Sequence, residues 1–468
     1  MNNKIVVPFL LFLILLLNSA CSKDSPTNTP IPKEDPTVAV TGIDIVQSDF
    51  TLHVGEFQQL SAALQPANAT NKSIDWESSE QAIASVDNSG KVTAIGPGTS
   101  IISVTSNENA QIKAQVTVEV LEEPSASAFI TTWNTELGTP SEPTVVIPTF
   151  SGEIYDYSID WGDGETESNL TGDATHVYQE QGTYQVKITG QFPRIYFNYQ
   201  FTSTGVRKNL ISVDQWGSGE WTSMELAFAG CDNLDVLATD LPNLSMVSSM
   251  NEMFSLCRKL EGNLSINSWD VSTITDMGAL FAQCDAFNMD ISSWDVGKVE
   301  DMSGMFLGCD IFNQNIGGWD VSSVKDMGSM FSETSAFNQD IGNWTTGQVT
   351  TMQWMFASNT IFNQNIGAWD VSNVIDMSYM FLFATSFDQD LGSWNVSEVK
   401  DMTNIFDGTQ LSTLNYDALL EGWNSLTSLQ VNVSFDGGNS QYCSSESARQ
   451  NIMTNYGWTI SDGGLNCD

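Results

Sequence analysis

Residues 287–309 read FNMDISSWDVGKVEDMSGMFLGC, and variants of this stretch recur along the second half of the chain. Tryptophan returns every 25 residues, and a methionine and a phenylalanine return in step with it. The three series are Trp269, Trp294, Trp319, Trp344, Trp369 and Trp394; Met277, Met302, Met327, Met352, Met377 and Met402; and Phe281, Phe306, Phe331, Phe356, Phe381 and Phe406. We number the 25-residue blocks that begin at these tryptophans units 1 to 6, which together span residues 269–418. One unit cannot bury its apolar side chains alone, so the period predicts stacked repeats.

The spacing of apolar residues inside a repeat predicts two extended segments followed by a short helical turn. Phe287 and Ile291 fall on one face of an extended segment, and Trp294 and Val296 fall on one face of the next. In residues 301–306, DMSGMF, the apolar side chains lie three and four apart, as in one or two turns of helix. The aspartate that opens this segment is placed to accept backbone N–H bonds as an N-cap. The tryptophan, methionine and phenylalanine series are therefore expected to form the core of the repeats.

Two polar series run in step with the aromatic ones. An amide series, expected to form an internal polar ladder, consists of Asn288, Asn313, Asn338 and Asn363, followed by Asp388. A cysteine series, three residues after a phenylalanine, consists of Cys231, Cys257, Cys284 and Cys309. Stacked neighbours could either form bridges or lie reduced in the core, and the sequence leaves both open. A zinc site is disfavoured, because stacked residues follow a line instead of converging on one point.

The N-terminus has the features of an export signal. Residues 5–17 are all apolar, a run shorter than the ~20 residues needed to cross a bilayer. Two small residues then precede Cys21, and this arrangement resembles a bacterial lipoprotein signal. The resemblance implies a signal peptide over residues 1–20 and a lipid-modified Cys21 that anchors the chain in a membrane; ordinary secretion with a free thiol is the alternative. Residues 21–37 are rich in Pro, Ser and Thr and are expected to form an extended tether.

Between the tether and the repeats, short β-rich runs alternate with turn residues. The strings VTGIDI, TLHVGE and IASVDNSGKVTAIGPGTSIISVT, within residues 38–121, resemble a bacterial Ig-like domain of group 2. The strings YSIDWGDGETES and THVYQEQGTYQVKITG, within residues 126–200, resemble a PKD-type sandwich. Both resemblances imply β-sandwich modules that act as spacers or adhesion modules without chemistry of their own.

The segments DMxxMF and MFxGC resemble the 25-residue repeats of BspA-type leucine-rich-repeat surface proteins, and the resemblance covers residues 205–468. It implies a leucine-rich-repeat-like solenoid over residues 205–418 that is displayed at the cell surface. Residues 419–468 are expected to form an atypical cap, in which Cys443 and Cys467 pair in an oxidising compartment. The predicted fold is therefore mainly β and multidomain: two β-sandwich modules, then a leucine-rich-repeat-like solenoid with short helical turns, then a disulfide-bonded cap.

The chain carries 16 Lys and Arg against 57 Asp and Glu, a formal charge of −41. This excess argues against nucleic acid as a partner, because phosphate binding requires clustered cations. Two histidines leave little room for imidazole catalysis. The carboxylates repeat with the units instead of forming one unique pair, so a glycosidase or any other enzyme is not expected.

A series of aspartates directly follows the tryptophans and has no evident capping role. We hypothesise that calcium ions bridge these carboxylates between units, and we expect no other cofactor. The members of the series are Asp270, Asp295, Asp320 and Asp370.

Two functions compete on these grounds. The first is a lipid-anchored, surface-exposed protein of the outer membrane, which presents the repeats for adhesion or protein binding to a host, matrix or neighbouring-cell surface protein. The second is a surface glycan-binding protein, in which the tryptophan series forms a stacking platform for sugar rings. Each tryptophan shares a face with the apolar residue two positions later in most units, which favours core packing over exposure.

Overall fold

The computed structural model describes residues 37–54, 56–121, 127–138, 143–197 and 205–467. The predicted signal peptide, the lipid-modified Cys21 and nearly all of the tether lie outside these residues. The chain divides into two compact parts, Met1–Glu123 and Pro124–Asp468, which we call the N-terminal and C-terminal parts. Among the described residues, no helix combines the length and the apolar character that crossing a bilayer requires.

The N-terminal part is built from short strands that form three small sheets. Its described strands are β1 (Gly42–Ile45), β2 (Phe50–His53), β3 (Phe57–Gln59), β4 (Ala62–Gln65), β5 (Ile74–Ser78), β6 (Ala84–Val86), β7 (Lys91–Ala94), β8 (Gly98–Ser106) and β9 (Lys113–Leu121). The sheets have the orders β2-β9-β8-β5, β3-β7-β6 and β1-β4. Alternate residues of β9, namely Val116, Val118 and Val120, enter one apolar core, because successive side chains of a strand point to opposite faces. The mainly β character predicted for this segment is confirmed.

The C-terminal part opens with a second β-rich region. Its strands are β10 (Phe129–Asn134), β11 (Thr144–Ile147), β12 (Asp156–Asp160), β13 (Thr166–Leu170), β14 (Ala174–Val177), β15 (Thr183–Gln191), β16 (Leu210–Gln215) and β17 (Asp235–Val236). Six of them form one sheet in the order β13-β12-β15-β10-β16-β17, and β11 pairs with β14. Because β16 pairs with both β10 and β17, this sheet continues to β17, which precedes unit 1. One apolar core accordingly extends from Phe129 to Ile460.

Successive units are joined along the stack by parallel β-bridges. The bridged residues, spaced 25 apart, are Asp276, Asp301, Asp326, Thr351, Asp376 and Asp401. In the segment after each bridge, alternate amides donate to the next unit and the amides between them close turns. The Met302 N–H, for example, donates to the Asp326 carbonyl at 3.0 Å, whereas the Met305 N–H donates to the Met302 carbonyl at 3.2 Å. Backbone hydrogen bonds of the repeats therefore run both within units and from one unit to the next.

The short helical turns predicted at the DMxxMF segments are wrong, because these segments consist of turns. Each contains one residue in the left-handed region, and a second left-handed residue follows two positions after the phenylalanine. The residues within the segments are Ala279, Gly304, Ser329, Trp354, Tyr379 and Asn404 in units 1 to 6. A right-handed helix does not accommodate such residues. Amides at every second position are also committed to the neighbouring unit, so the hydrogen bonds of the stack override the helical spacing of the apolar side chains.

The C-terminal cap carries the α-helices of the described residues. Its elements are α1 (Thr413–Asn424), β18 (Ser434–Asp436), α2 (Glu446–Tyr456) and β19 (Thr459–Ser461), and the two strands pair in parallel. Because α1 begins at Thr413, the cap begins inside the last 25-residue block and not at residue 419 as predicted. The predicted disulfide between Cys443 and Cys467 is confirmed. The Asp417 carboxylate of α1 accepts hydrogen bonds from the N–H groups of Cys443, Ser444 and Ser445, and so ties α1 to the segment that leads into α2.

Candidate binding surface

The tryptophan series lies inside the stack. Its six side chains are between 1 and 4 % exposed. From Trp294 onward, each indole Nε1–H donates to the carbonyl 28 residues earlier, as Trp344 does to Ile316 at 3.2 Å. Because these rings are enclosed and their N–H groups bonded, they cannot offer a face to a sugar. The hypothesis that this series forms a stacking platform is therefore wrong.

The methionine and phenylalanine series complete the core. All twelve side chains are fully buried. The rings of consecutive phenylalanines lie nearly parallel, with centroids 5.3 to 5.9 Å apart. These residues form the structural core, so any binding surface of the stack consists of the residues between them.

The aspartate series after the tryptophans has a structural role that the sequence analysis did not recognise. Asp270 accepts hydrogen bonds from both the N–H and the hydroxyl of Ser272, and Asp295, Asp320 and Asp370 each accept from the N–H two residues later. Hydrogen bonds from Ser272 hold the pKa of the Asp270 carboxyl below its usual range. Within the described residues, no group of three or more His, Cys, Asp and Glu is arranged to hold a metal ion. The carboxylates thus cap their own turns, and nothing in their geometry favours the calcium hypothesis.

The aspartates before the methionines also cap turns. Asp301, for instance, accepts from the N–H of Ser303 at 2.8 Å. Burial raises the pKa of Asp326, and the charge of Asp301 adds to this effect, although a bond from the amide of Gly328 opposes it. In unit 4 the corresponding residue is Thr351, whose buried hydroxyl has no hydrogen-bond partner. The acceptor role predicted for these aspartates holds, although the turn is not helical.

The four cysteines of the repeat position are free and buried. The thiols of Cys257, Cys284 and Cys309 each donate to a carbonyl 28 to 30 residues earlier in the chain. Thr334 replaces cysteine in the next unit, and its hydroxyl donates to the Phe306 carbonyl at 2.8 Å. Burial raises the pKa of the Cys284 thiol well above its ordinary value. Of the two arrangements left open by the sequence, the structure has the reduced one.

The sequence analysis expected the amide series to lie inside the stack. Its side chains instead lie at the surface, where they are exposed or half-buried. Asn338 Oδ1 accepts from the Asn363 N–H at 3.0 Å and from the Gln364 side chain at 2.9 Å. Since each asparagine bonds the next unit in the same way, this series links the units along one edge of the stack.

Trp354 and Tyr379 form an aromatic pair outside the core. Their rings are stacked 4.2 Å apart with an angle of 11° between the planes. Trp354 is 37 % exposed, whereas every other tryptophan among the described residues is buried or half-buried. Sequence reasoning missed this pair, although a signal was present: Trp354 does not belong to the 25-residue tryptophan series, and the same position holds small residues in units 1 to 3.

The charge of the repeats is unevenly distributed among the units. Unit 4, residues 344–368, contains no Asp, Glu, Lys or Arg, whereas each of the other five units contains four carboxylates. Its exposed polar side chains include Gln348, Thr350 and Gln353. The exposed indole of Trp354 therefore belongs to a neutral, amide- and hydroxyl-bearing unit within an otherwise acidic stack.

Family models match three segments of the chain. Residues 39–118 match the bacterial Ig-like domain (group 2), and residues 135–193 match the PKD domain. Residues 222–344 and 310–423, which together contain units 1 to 6, match the model described as Mycoplasma protein of unknown function, DUF285. The Ig-like and PKD domains expected from the sequence are confirmed.

Similar proteins share only a segment with this chain. An alpha-L-arabinofuranosidase of Bifidobacterium longum is 34 % identical over 93 residues, which are 19 % of this chain and 9 % of that protein. A lacto-N-biosidase of Bifidobacterium bifidum is 32 % identical over 96 residues, 20 % of this chain and 8 % of that protein. An uncharacterized protein of Clostridium acetobutylicum is 32 % identical over 83 residues, 18 % of this chain and 9 % of that protein. The chain thus spans less than a tenth of the length of these three relatives.

Proposed function

We propose that the chain is a non-catalytic, lipid-anchored protein of the outer bacterial surface that binds a host, matrix or neighbouring-cell protein through its repeats. In this proposal the repeats are a leucine-rich-repeat-like solenoid of BspA type. The observation that carries the proposal is the burial of the tryptophan, methionine and phenylalanine series, which makes units 1 to 6 one continuous body whose exposed residues are mostly polar. Ig-like and PKD domains are typical of surface or extracellular binding proteins, in keeping with this role.

A non-catalytic role is supported by what the repeated carboxylates do. Both aspartate series accept hydrogen bonds from their own turns, so their repetition follows from the architecture of the units. The two relatives named as glycosidases share about a fifth of this chain. Their activities are properties of proteins that are more than ten times longer than the shared segment, and they are not carried over to this chain.

Protease treatment of intact cells tests the surface location. We expect peptides from residues 269–418 to be released from intact cells, and a Cys21→Ser variant to be lost from the membrane fraction. A soluble periplasmic protein, monitored in the same samples, should stay intact as the control for cell integrity. Protection of the repeats until the cells are lysed would contradict the proposal.

A further inference from the structure

The exposed aromatic pair is bordered by small residues on the side of Trp354. Tyr379 covers one face of the Trp354 indole, at a ring distance of 4.2 Å. On the other side, the same position of the preceding units holds Ser329, Gly304 and Ala279, which are too small to cover an indole ring. The stack of rings therefore ends abruptly at Trp354, and a flat ligand could continue it above the smaller residues.

The turn that carries Trp354 and Tyr379 requires no aromatic residue. Trp354 and Tyr379 both have φ of 60°, in the left-handed region that bulky residues rarely occupy. The other units place Ala279, Gly304, Ser329 and Asn404 at this position, so the turn does not require an aromatic residue. Bulky side chains held in such a conformation are more common at functional sites than elsewhere.

The surroundings of Trp354 indicate the chemistry of the ligand. Unit 4 carries no charged residue, whereas units 3 and 5 on either side of it carry four carboxylates each, so an anionic polymer is repelled and no cation of unit 4 offsets this. Gln353, adjacent to Trp354, is exposed and carries both a donor and an acceptor. An aromatic face has a negative potential that attracts the weakly positive C–H groups of a sugar ring, while neutral amides and hydroxyls bond its hydroxyl groups.

We propose that the Trp354–Tyr379 pair is a binding site for a neutral saccharide, whose ring stacks on the face of Trp354 opposite Tyr379. This site rests on the surface location proposed above, and it adds a carbohydrate ligand to the protein partner proposed there. The tryptophan series of the core has no part in it. The site consists of an indole outside that series, on the surface of the neutral unit.

Native gel electrophoresis of the purified chain in gels containing mannan, arabinan, galactan or β-glucan tests the proposal. We expect at least one of these neutral polysaccharides to retard the protein, with polygalacturonate as the anionic comparison. Trp354→Ser and Tyr379→Asn introduce the residues that units 3 and 6 carry at the same position, with φ of 56° and 53°, so the turn can be retained. We expect Trp354→Ser to weaken binding at least about tenfold, as loss of a central aromatic contact does. The bound sugar should also shield Trp354 from iodide quenching.

Phe383→Ser is the matched control, because Phe383 is an exposed aromatic residue in a left-handed conformation outside the pair, and unit 4 has serine at that position. It should bind like the unaltered protein. Lack of retardation by all four neutral polysaccharides overturns the proposal, as does equal binding by Trp354→Ser. Retardation by polygalacturonate alone, or an equal loss in Phe383→Ser, would also overturn it. Since purified protein is used, surface protection in intact cells and loss of sugar binding are independent outcomes.

Discussion

The indole Nε1–H of Trp423 donates a hydrogen bond to the Leu391 carbonyl at 3.2 Å. Trp423 belongs to helix α1 of the cap, yet it makes the same kind of bond as Trp394, which donates to the Ile366 carbonyl at 3.1 Å. The cap therefore places an indole where a further repeat unit would have placed its own. Because an exposed final layer of aromatic rings would face water, this arrangement explains how the stack can end.

The indole bonds should contribute measurably to stability. Trp344→Phe removes a bond to the Ile316 carbonyl, whereas Trp269→Phe removes a buried Nε1–H that has no partner. Both substitutions lose similar ring volume, so the packing losses cancel in the comparison. We expect the first substitution to reduce the free energy of unfolding by about 1 kcal/mol more than the second, because only the first also removes a hydrogen bond. Urea denaturation followed by circular dichroism gives the comparison. Equal losses would show that the indole bonds contribute nothing beyond packing.

Cysteine and threonine should be interchangeable at the repeat position. Cys309→Thr keeps a donor to the Phe281 carbonyl, as Thr334 does one unit later, while Cys309→Val has the same shape as threonine without the donor. We expect the valine variant to be less stable than the threonine variant by about 1 kcal/mol. Thermal unfolding of the two variants measures this difference. A more stable valine variant would contradict the donor role of this position.

The thiols of the repeats should be inert in the native protein. Burial raises the pKa of Cys231, Cys257, Cys284 and Cys309, and thiolates are the reactive species. We expect these four thiols to resist Ellman's reagent at pH 8 and to react after unfolding in urea without reductant. A lower thiol count after unfolding would reveal bridges between units and would contradict the reduced arrangement.

The cap should lose stability in acid through Asp417. Burial raises the pKa of this carboxyl, but bonds from the Ser445 hydroxyl and from the amides of Ser444, Cys443 and Ser445 outweigh burial and leave it below its usual range. A carboxyl with a lowered pKa stabilises the fold above its unfolded pKa of about 4, and the contribution disappears as the pH falls through the folded value. Melting temperatures from pH 7 to pH 2 should therefore fall less steeply in Asp417→Asn than in the unaltered protein. Parallel curves would contradict the role of Asp417.

Calcium should have no specific effect on the repeats. The Asp270 carboxylate and its counterparts in later units accept bonds from their own turns, so cations should act by screening the formal charge of −41. We expect calcium and magnesium at equal concentration to raise the melting temperature equally. An additional increase with calcium that a chelator removes would support the bridges hypothesised from the sequence.

The predictions from sequence succeeded where the period alone determines the outcome. In any stack with a 25-residue repeat, equivalent side chains align, so the burial of Trp344, Met352 and Phe356 follows from the apolar character of their series. The helical turns failed because apolar spacing of three and four is compatible with helices and with tight turns. The choice depends on whether amides such as that of Met302 bond within the segment or to the next unit, and the spacing does not contain that information.

The sequence by itself determined the stacking period, the members of the core, the order of the Ig-like, PKD and repeat segments, and the Cys443–Cys467 pairing. Only the tertiary structure decided that the aspartates after the tryptophans cap turns, that the cysteines are reduced and that Trp354 faces water. The physical reason is that a repeating pattern specifies which residues are equivalent between units. The direction of each side chain depends on the local φ angles and on the hydrogen bonds between units, which exist only once the units have stacked.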